Sequence, residues 1–436
     1  LILMTPLTMF DSLYRSGLAG LIPSFLSFVL AAIFMYKIGE LLWGRFAGFA
    51  AFALFVSNPN ILYAQATPLS EIFYTASILS TIYFVLRWTR GHSEKFLFLS
   101  ALSLFGATLS RYDGWFIAIL AIISLIIYSL YTFRDWHRME GVVILFAMVA
   151  LLGPVLWMFW NYAIFENPIY FAVGEYSAKI QQADLLKNGL LPSYHDLSST
   201  IMLIYYSAKH GGGEMLLLVG TIGFILGIWS AFREKKIEYI FLSLFFGQIL
   251  YYVINLYFGN GVIFVPELFP YHFHNIRYAI TFMPFFIFGA IYLVSRFKIF
   301  VPVLLTLIIL EYGALASTGN IVTLNESLHG FAGRDAHKSR IVAGEWIANH
   351  YDDGYLLADT FNNDSVIFYS NIHLRNWITD GTPELFWKSI KHPSDNVKWV
   401  LMREGDKIWN ELEGSTELKN YRLVYDGDDI LVYKRI

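Results

Sequence analysis

The sequence predicts a polytopic α-helical membrane bundle followed by a small soluble α/β domain. Three observations carry this. The 436 residues are 56% hydrophobic and only 15% charged, whereas a soluble globular chain of this length carries about 25% charged residues. Long apolar runs recur through the first three quarters of the chain. Short basic loops between them alternate with longer loops poor in Lys and Arg. Aromatics reach 18%, which suits interfacial Trp and Tyr anchors. There is no cysteine, which excludes disulfides, thiolate metal sites and a Cys nucleophile.

Crossing about 30 Å of hydrocarbon takes roughly 20 apolar residues. Ten segments approach this, near 20–36, 46–64, 71–87, 96–110, 114–133, 141–163, 214–232, 238–258, 277–295 and 299–317. Internal Gly153-Pro154 and Pro284 are tolerated where neighbouring helices re-satisfy the backbone. One set of alternate loops holds Lys37 and Arg45; Arg87, Arg90 and Lys95; Arg134 and Arg138; Arg233, Lys235 and Lys236; Arg296 and Lys298. Short basic loops stay on the cytoplasmic side, so loops 1–19, 65–70, 111–113, 164–213 and 259–276 are expected to face outward. The chain begins at Leu1 with no signal peptide, and a lost first helix is expected. The expected location is a prokaryotic cell membrane, with the C-terminal domain extracytoplasmic.

Charge rises after about residue 320. Two domains are expected: a membrane domain over 1–320 and an α/β domain over 325–436. In the second, Ser339–Tyr351 has helical spacing, with Ile341, Val342, Trp346 and Ile347 on one side. Tyr355–Ala358, Val366–Tyr369, Lys398–Met402, Tyr421–Tyr425 and Ile430–Tyr433 read as strands. Asp426-Gly427-Asp428-Asp429 joins the last two as a hairpin turn. Two sequons, Asn325-Glu326-Ser327 and Asn363-Asp364-Ser365, fit an outer location without establishing glycosylation.

No Asp, Glu, Lys or Arg lies near the middle of an expected span, which argues against an ion-coupled carrier. The polar groups gather instead at the outer helix ends. Such a place suits a substrate with a lipid tail and a polar head. In Asn58-Pro59 through Ser70-Glu71, Glu71 enters a helix. It serves either as a capping carboxylate favoured by the dipole or as a contact to a sugar hydroxyl or catalytic partner. In Arg111-Tyr112-Asp113-Gly114-Trp115, Arg111 and Asp113 form either an interfacial pair or the edge of a phosphate site. Arg suits that site because its planar fork can pair two phosphate oxygens.

In His272-Phe273-His274-Asn275-Ile276-Arg277-Tyr278, Arg277 is a second outward cation at the same depth. The two histidines, two residues apart, are a weak metal signal, and no metal is assigned. Loop 164–213 opens with Glu166-Asn167-Pro168-Ile169-Tyr170-Phe171 and is too long for a plain connection. It is either a cover on the bundle or a functional loop. No cofactor is expected. No nucleotide fold is visible, for there is no GxGxxG after a strand and no P-loop.

The order NPxxLYAQxTPLSE, RYDGW, NYAIFENPIYF with a following EYSA, and HNIRY before a Pro-containing helix resembles the C-type glycosyltransferases. It is most similar to prokaryotic members like the dolichyl-phosphate-mannose protein mannosyltransferases, the family 39-like group. The resemblance covers roughly residues 1–320, and the C-terminal domain resembles the extracytoplasmic domain that many members carry. It implies a polyprenyl- or dolichyl-phosphate sugar donor, a protein, lipid or glycan acceptor, membrane lipids as surroundings, and no nucleic acid. With such a donor, the paired outer-face cations Arg111 and Arg277 are expected on its phosphate. Glu71 and Asp113 are the candidate catalytic carboxylates, and Tyr112, His274, Asn275 and Tyr278 contact substrate. The family's main catalytic acid follows the first helix. Asp11 does not match that position, so this acid is expected upstream of Leu1. The competing readings are a lipid or solute transporter or flippase, and a non-catalytic glycolipid-binding relative.

Overall fold

The computed structural model describes residues 2–133, 135–174, 177–296, 301–318, 321–329, 333–361 and 363–436. Arg134, Glu175, Tyr176 and Lys298, all named in the sequence reading, lie outside the described residues. The chain divides into two compact units, Leu1–Phe331 and Ala332–Ile436.

The first unit is helical. Its main helices are α1 (Leu18–Trp43), α2 (Arg45–Val56), α3 (Pro59–Ala64), α4 (Ser70–Gly91), α5 (Glu94–Ser110), α6 (Asp113–Thr132) and α7, whose two parts are Trp136–Ala150 and Leu152–Phe165. After them come α8 (Leu197–Gly212), α9 (Glu214–Arg233), α10 (Ser243–Tyr257), α11 (Met283–Arg296), α12 (Val301–Ser317) and α13 (Val322–His329). The supposed outer loop 164–213 is therefore largely helical, and includes α8.

Among the described residues, seven segments are long and apolar enough to cross a bilayer: Leu18–Trp43, Asp113–Thr132, Trp136–Phe165, Glu214–Arg233, Ile237–Tyr257, Ile276–Arg296 and Leu305–Ser327. The expected count of ten is not reproduced among the described residues. The expected span 46–64 breaks at Asn58, whose side chain accepts from the N–H groups of Asn60 and Ile61 and starts α3. Expected span 96–110 lies in α5, which has 17 residues and reaches about 25 Å. α4 is long enough but less apolar. Most of it is buried in protein, where hydroxyls are satisfied by backbone rather than exposed to hydrocarbon. Thr81 donates to the carbonyl of Ser77 at 2.8 Å, and Ser100 on α5 donates to the carbonyl of Thr81 at 2.8 Å.

Small residues let α9 and α11 pack backbone to backbone. A Cβ on Gly223 would lie 1.9 Å from the Gly289 carbonyl oxygen, and one on Gly289 would lie 1.9 Å from that of Gly220.

The basic turns gather at one end of this unit. Arg90 donates to the carbonyl of Leu41, tying the ends of α4 and α1. His92 packs on Phe133 with ring centroids 5.0 Å apart, and Tyr128 on Phe241 at 5.7 Å. Trp43 meets Tyr292 at 6.1 Å, and Arg296 pairs with Glu234 at 2.5 Å. Helices that turn back at this end return their other ends to the opposite one, where Glu71, Arg111 and Arg277 meet.

The second unit holds a five-stranded sheet in the order β2-β1-β3-β5-β4. The strands are β1 (Tyr355–Leu357), β2 (Trp377–Ile378), β3 (Val397–Arg403), β4 (Tyr421–Asp426) and β5 (Ile430–Arg435). β1 pairs parallel with β2 and β3, while β5 pairs antiparallel with β3 and β4. Alternation along β3 explains the layers. Trp399 and Leu401 join one core with Ala343 and Ile347 of helix Gly333–His350. Val400 and Met402 join the other with Phe386 and Ile390 of helix Pro383–Lys391. The expected strand Val366–Tyr369 is instead part of a helix, Asp364–Tyr369, whose Val366 and Ile367 fill the first core. Its run of apolar residues satisfies either period, and packing decides between them.

Candidate functional site

The site grows from one buried cation. Arg111 closes α5 in an extended conformation, and α6 starts two residues later at Asp113. This tight corner turns the guanidinium inward. Its Nε donates to Asp113 Oδ1 at 3.1 Å, its Nη1 to Glu71 Oε1 at 2.8 Å, and its Nη2 to the hydroxyl of Tyr252 at 2.7 Å. Nη1 also reaches Ser70 Oγ at 3.3 Å. The Tyr252 hydroxyl in turn donates to Asp113 Oδ2 at 3.2 Å. Side-chain exposure falls to 13% for Arg111, 3% for Glu71 and 1% for Asp113. Buried charges persist when paired and hydrogen-bonded, and these three are.

Arg277 is the second cation. Its Nε lies 3.4 Å from Glu71 Oε1, so one carboxylate oxygen bridges both arginines. Its Nη1 donates to Glu326 Oε1 at 2.9 Å. Its side chain is 31% exposed, more than twice the 13% of Arg111. The ring of Tyr278 lies near both cations, with its centroid 4.8 Å from the Arg111 guanidinium and 5.2 Å from that of Arg277.

The capping reading of Glu71 is corrected. α4 has Leu69 at its N-cap with no side-chain capping bond, and Glu71 points to the arginines instead. Arg111 and Asp113 pair as the sequence allowed, inside a larger network. Asn275 takes a left-handed conformation at φ 55 and donates from its side chain to the carbonyl of Val262 at 3.0 Å. It shapes the turn that delivers Arg277. His274 forms an antiparallel bridge with Phe264. Burial pushes its pKa down to about 4, helped by the charge of Arg277 and by His272. Tyr112 points elsewhere: its hydroxyl accepts from Trp157 Nε1 at 3.1 Å, and its ring stacks on Phe171 at 5.3 Å. Among the described residues no group of three or more His, Cys, Asp or Glu could hold a metal ion.

The NPN motif is architectural. Asn58 donates to the carbonyl of Gly211 at 3.0 Å, and Asn60 accepts from Thr323 N–H at 3.2 Å. These bonds bind α3 to α8 and α13, and α13 carries Glu326. Sequence reasoning missed two residues of the network. Tyr252 sits in an apolar run with several other tyrosines, and nothing local sets it apart. Glu326 was visible only as the middle of a sequon. The other sequon is closed, for Asn363 is fully buried and donates to the carbonyl of Asp359 at 2.9 Å.

The chain is similar to two crystal structures of ArnT from Cupriavidus metallidurans. The one bound to undecaprenyl phosphate matches with a TM-score of 0.59 at 13% identity, over 96% of this chain and 84% of that one. The apo structure matches with a TM-score of 0.56 at 12% identity, over 95% and 83%. The chain has the ArnT fold. The motifs implied a fold of this kind, and the likeness at this identity is one of fold. No protein-family model and no curated protein sequence matches the chain. Within the ArnT fold, the match extends over nearly all of the present chain, so both units take part in it.

Proposed function

We propose that this protein is a membrane glycosyltransferase. It moves a sugar, in the specific form of the proposal a hexose, from a polyprenyl- or dolichyl-phosphate donor to a hydroxyl acceptor on a protein, lipid or glycan. The observation that carries the reading is the half-buried Arg277 beside the more deeply buried Arg111, at the end opposite the basic turns. The ArnT fold, seen elsewhere with undecaprenyl phosphate bound, supports it. The positive-inside rule puts the basic end in the cytoplasm. The site, and the C-terminal unit that follows Glu326, would then be extracytoplasmic in a prokaryotic cell membrane.

In this reading the two cations act differently. Arg111 uses most of its five N–H groups on protein partners. Its charge is offset by Asp113 and Glu71, so it holds the geometry of the network from within. Arg277 is open enough to meet the donor phosphate. As the sugar's C1–O bond to phosphate breaks, charge builds on the departing oxygen, and a preorganised cation stabilises it without reorganisation. The acceptor oxygen bonds to C1, and its proton passes to a carboxylate. Glu71 serves this only by giving up its 3.4 Å contact with Arg277, the weaker of its two. A phosphate that draws Arg277 away would leave it held by Arg111 alone, with its second oxygen available to the acceptor proton. Asp113 stays locked behind Arg111 as a positioning residue. Tyr278, His274 and Asn275 frame the Arg277 approach.

The test uses the full-length protein in liposomes with a radiolabelled polyprenyl-phosphate sugar and an added acceptor. Transfer is expected, with Arg277→Ala lowering it by about 100-fold, within the range seen for removed transition-state donors. Undiminished transfer by Arg277→Ala would end this assignment. Movement of labelled lipid across the bilayer without glycoside product would point to the flippase reading.

A further inference from the structure

The first unit has a cavity of about 510 Å³ at the end where the basic turns gather, away from the arginine network. It lies between α9, α11 and the start of the Ile237–Tyr257 segment. Its volume falls within the range of about 300–1,000 Å³ typical of ligand pockets. The walls are apolar: Phe224 and Ile228 on α9, Ile240 and Phe245 opposite, and Phe288 on α11. Ile228 and Phe232 line it yet remain 43% and 80% exposed, so its mouth opens sideways on the surface that faces lipid.

The rim is cationic. Lys235 and Lys236 line the cavity where α9 ends, with Lys235 in a left-handed conformation at φ 54. Glu234, the nearby acid, is already taken by Lys236 at 2.7 Å and Arg296 at 2.5 Å. No acid lies within 4.0 Å of the Lys235 ammonium in any ion pair among the described residues. Near this rim stand Arg233, Lys235, Lys236 and Arg296 against Glu234 and Glu238. An apolar slot open to hydrocarbon, with unbalanced cations at headgroup depth, is complementary to one kind of molecule.

We propose that this cavity is a binding site for an anionic phospholipid of the cytoplasmic leaflet. Its acyl chain fills the slot between α9 and α11, and its phosphate rests on Lys235, beside the Lys236–Glu234 pair. The polyprenyl donor is a poorer occupant, because its phosphate would sit on the wrong side of the bundle. Tyr252 follows Ser243, at the cavity, by nine helical residues, about 13 Å along the axis. The chemical reasons are general: cytoplasmic leaflets are anionic, and Lys clusters beside spans attract them. The inference depends on which end is cytoplasmic, not on the glycosyltransferase reading.

The experiment is native mass spectrometry of the full-length protein from detergent, titrated with phosphatidylglycerol or phosphatidylcholine. Retention of phosphatidylglycerol is expected to exceed that of phosphatidylcholine about fivefold at low salt and to weaken as salt rises. Gly227 lines the slot, and a Cβ there would meet the Tyr292 ring at an ordinary 3.4 Å. Gly227→Leu should therefore fill the cavity and lower retention of both lipids. Ile228→Trp, at an exposed position of the mouth, is the second plug should Gly227→Leu fail to fold. Lys235→Ala should remove the preference for phosphatidylglycerol while sparing phosphatidylcholine, and Lys235→Arg should restore it. Equal retention of the two lipids by the unmodified protein overturns the proposal. So does unchanged retention by a folded plug variant. So does displacement of phosphatidylglycerol by equimolar undecaprenyl phosphate in the unmodified protein but not in the plug variant.

Discussion

Glu326 holds Arg277 twice over: it accepts from the guanidinium Nη1 at 2.9 Å and from the backbone N–H of Arg277 at 3.4 Å. The same carboxylate accepts from the N–H of Asn275 at 2.6 Å. A single side chain on α13 thus builds the turn and neutralises the cation that the turn presents. The two tasks separate by substitution. Glu326→Gln keeps an acceptor for the backbone but removes the charge that competes with phosphate. Glu326→Ala removes both. Calorimetric titration with a polyprenyl phosphate should find Gln binding more tightly than Glu by about tenfold, or about 1.4 kcal/mol. Ala should bind more weakly than Gln. The same order for both variants would show that Glu326 does not divide its work in this way.

Arg111→Lys tests whether Arg111 is a geometric hub. Its planar fork serves Asp113, Glu71, Ser70 and Tyr252 in different directions, and a lysine has three donors on one point. At least one buried carboxylate then loses its partner. Breaking a buried pair typically costs about 3–5 kcal/mol. The variant should lose thermal stability in detergent about as much as Arg111→Ala does. Near-native stability for Lys would reduce Arg111 to a plain charge.

Much of this arrangement was legible before the structure, and the reason is spacing. Arg111 and Asp113 flank a corner too short to do anything but bring them together, and both sit beside apolar runs that fix their depth. The hairpin of β4 and β5 was legible because Asp426-Gly427 lies between alternating segments; the N–H of Gly427 donates to the carbonyl of Ile430 at 2.9 Å. What failed was whatever needs a partner far along the chain. Glu71 looks like a cap until Arg111, forty residues later, is seen to claim it. Tyr252 is 139 residues from Asp113.

Tyr252→Phe isolates the hydroxyl that links Arg111 to Asp113. The ring stays packed on Tyr278 and Phe282, so shape is kept and two hydrogen bonds are lost. An unsatisfied buried group costs about 1–3 kcal/mol. The expected result is a lowered melting temperature together with a fall in transfer rate of at least tenfold. A stable but fully active Tyr252→Phe protein would show that Arg111 is held well enough without it.

The glycine contacts between α9 and α11 predict a position-specific response to one methyl group. Gly223→Ala drives a Cβ into the Gly289 carbonyl, while Gly141 has nothing within 4 Å of an added Cβ. Overpacking costs about 1–3 kcal/mol and sometimes more. Gly to Ala in an open helix instead gains about 0.5–1 kcal/mol. Thermal unfolding of the two variants should therefore shift in opposite directions, and a shift of the same sign in both would contradict the close approach of these helices.

His274 gives the site a pH dependence of defined sign. Burial, with the Arg277 charge and His272 adding to it, holds its pKa at about 4 in the folded protein, against about 6.5 for an unfolded histidine. Between those values the unfolded chain binds the proton and the folded chain does not, so stability rises with pH across this window. The contribution is intact above pH 6.5 and is lost progressively as pH falls toward 4. His274→Phe lacks the titrating group while keeping a ring against Phe264, where the present centroids are 5.7 Å apart. Melting temperatures of the two proteins should converge as pH drops from 7 to 4.5 if the substitution costs packing at neutral pH, because only the histidine protein carries the acid penalty. Nuclear magnetic resonance of ring-labelled histidine should place the His274 titration well below pH 6. A midpoint near 6.5 would mean that water and counter-charge reach the ring, and that the turn carrying Arg277 is more open than its hydrogen bonds to Glu326 imply.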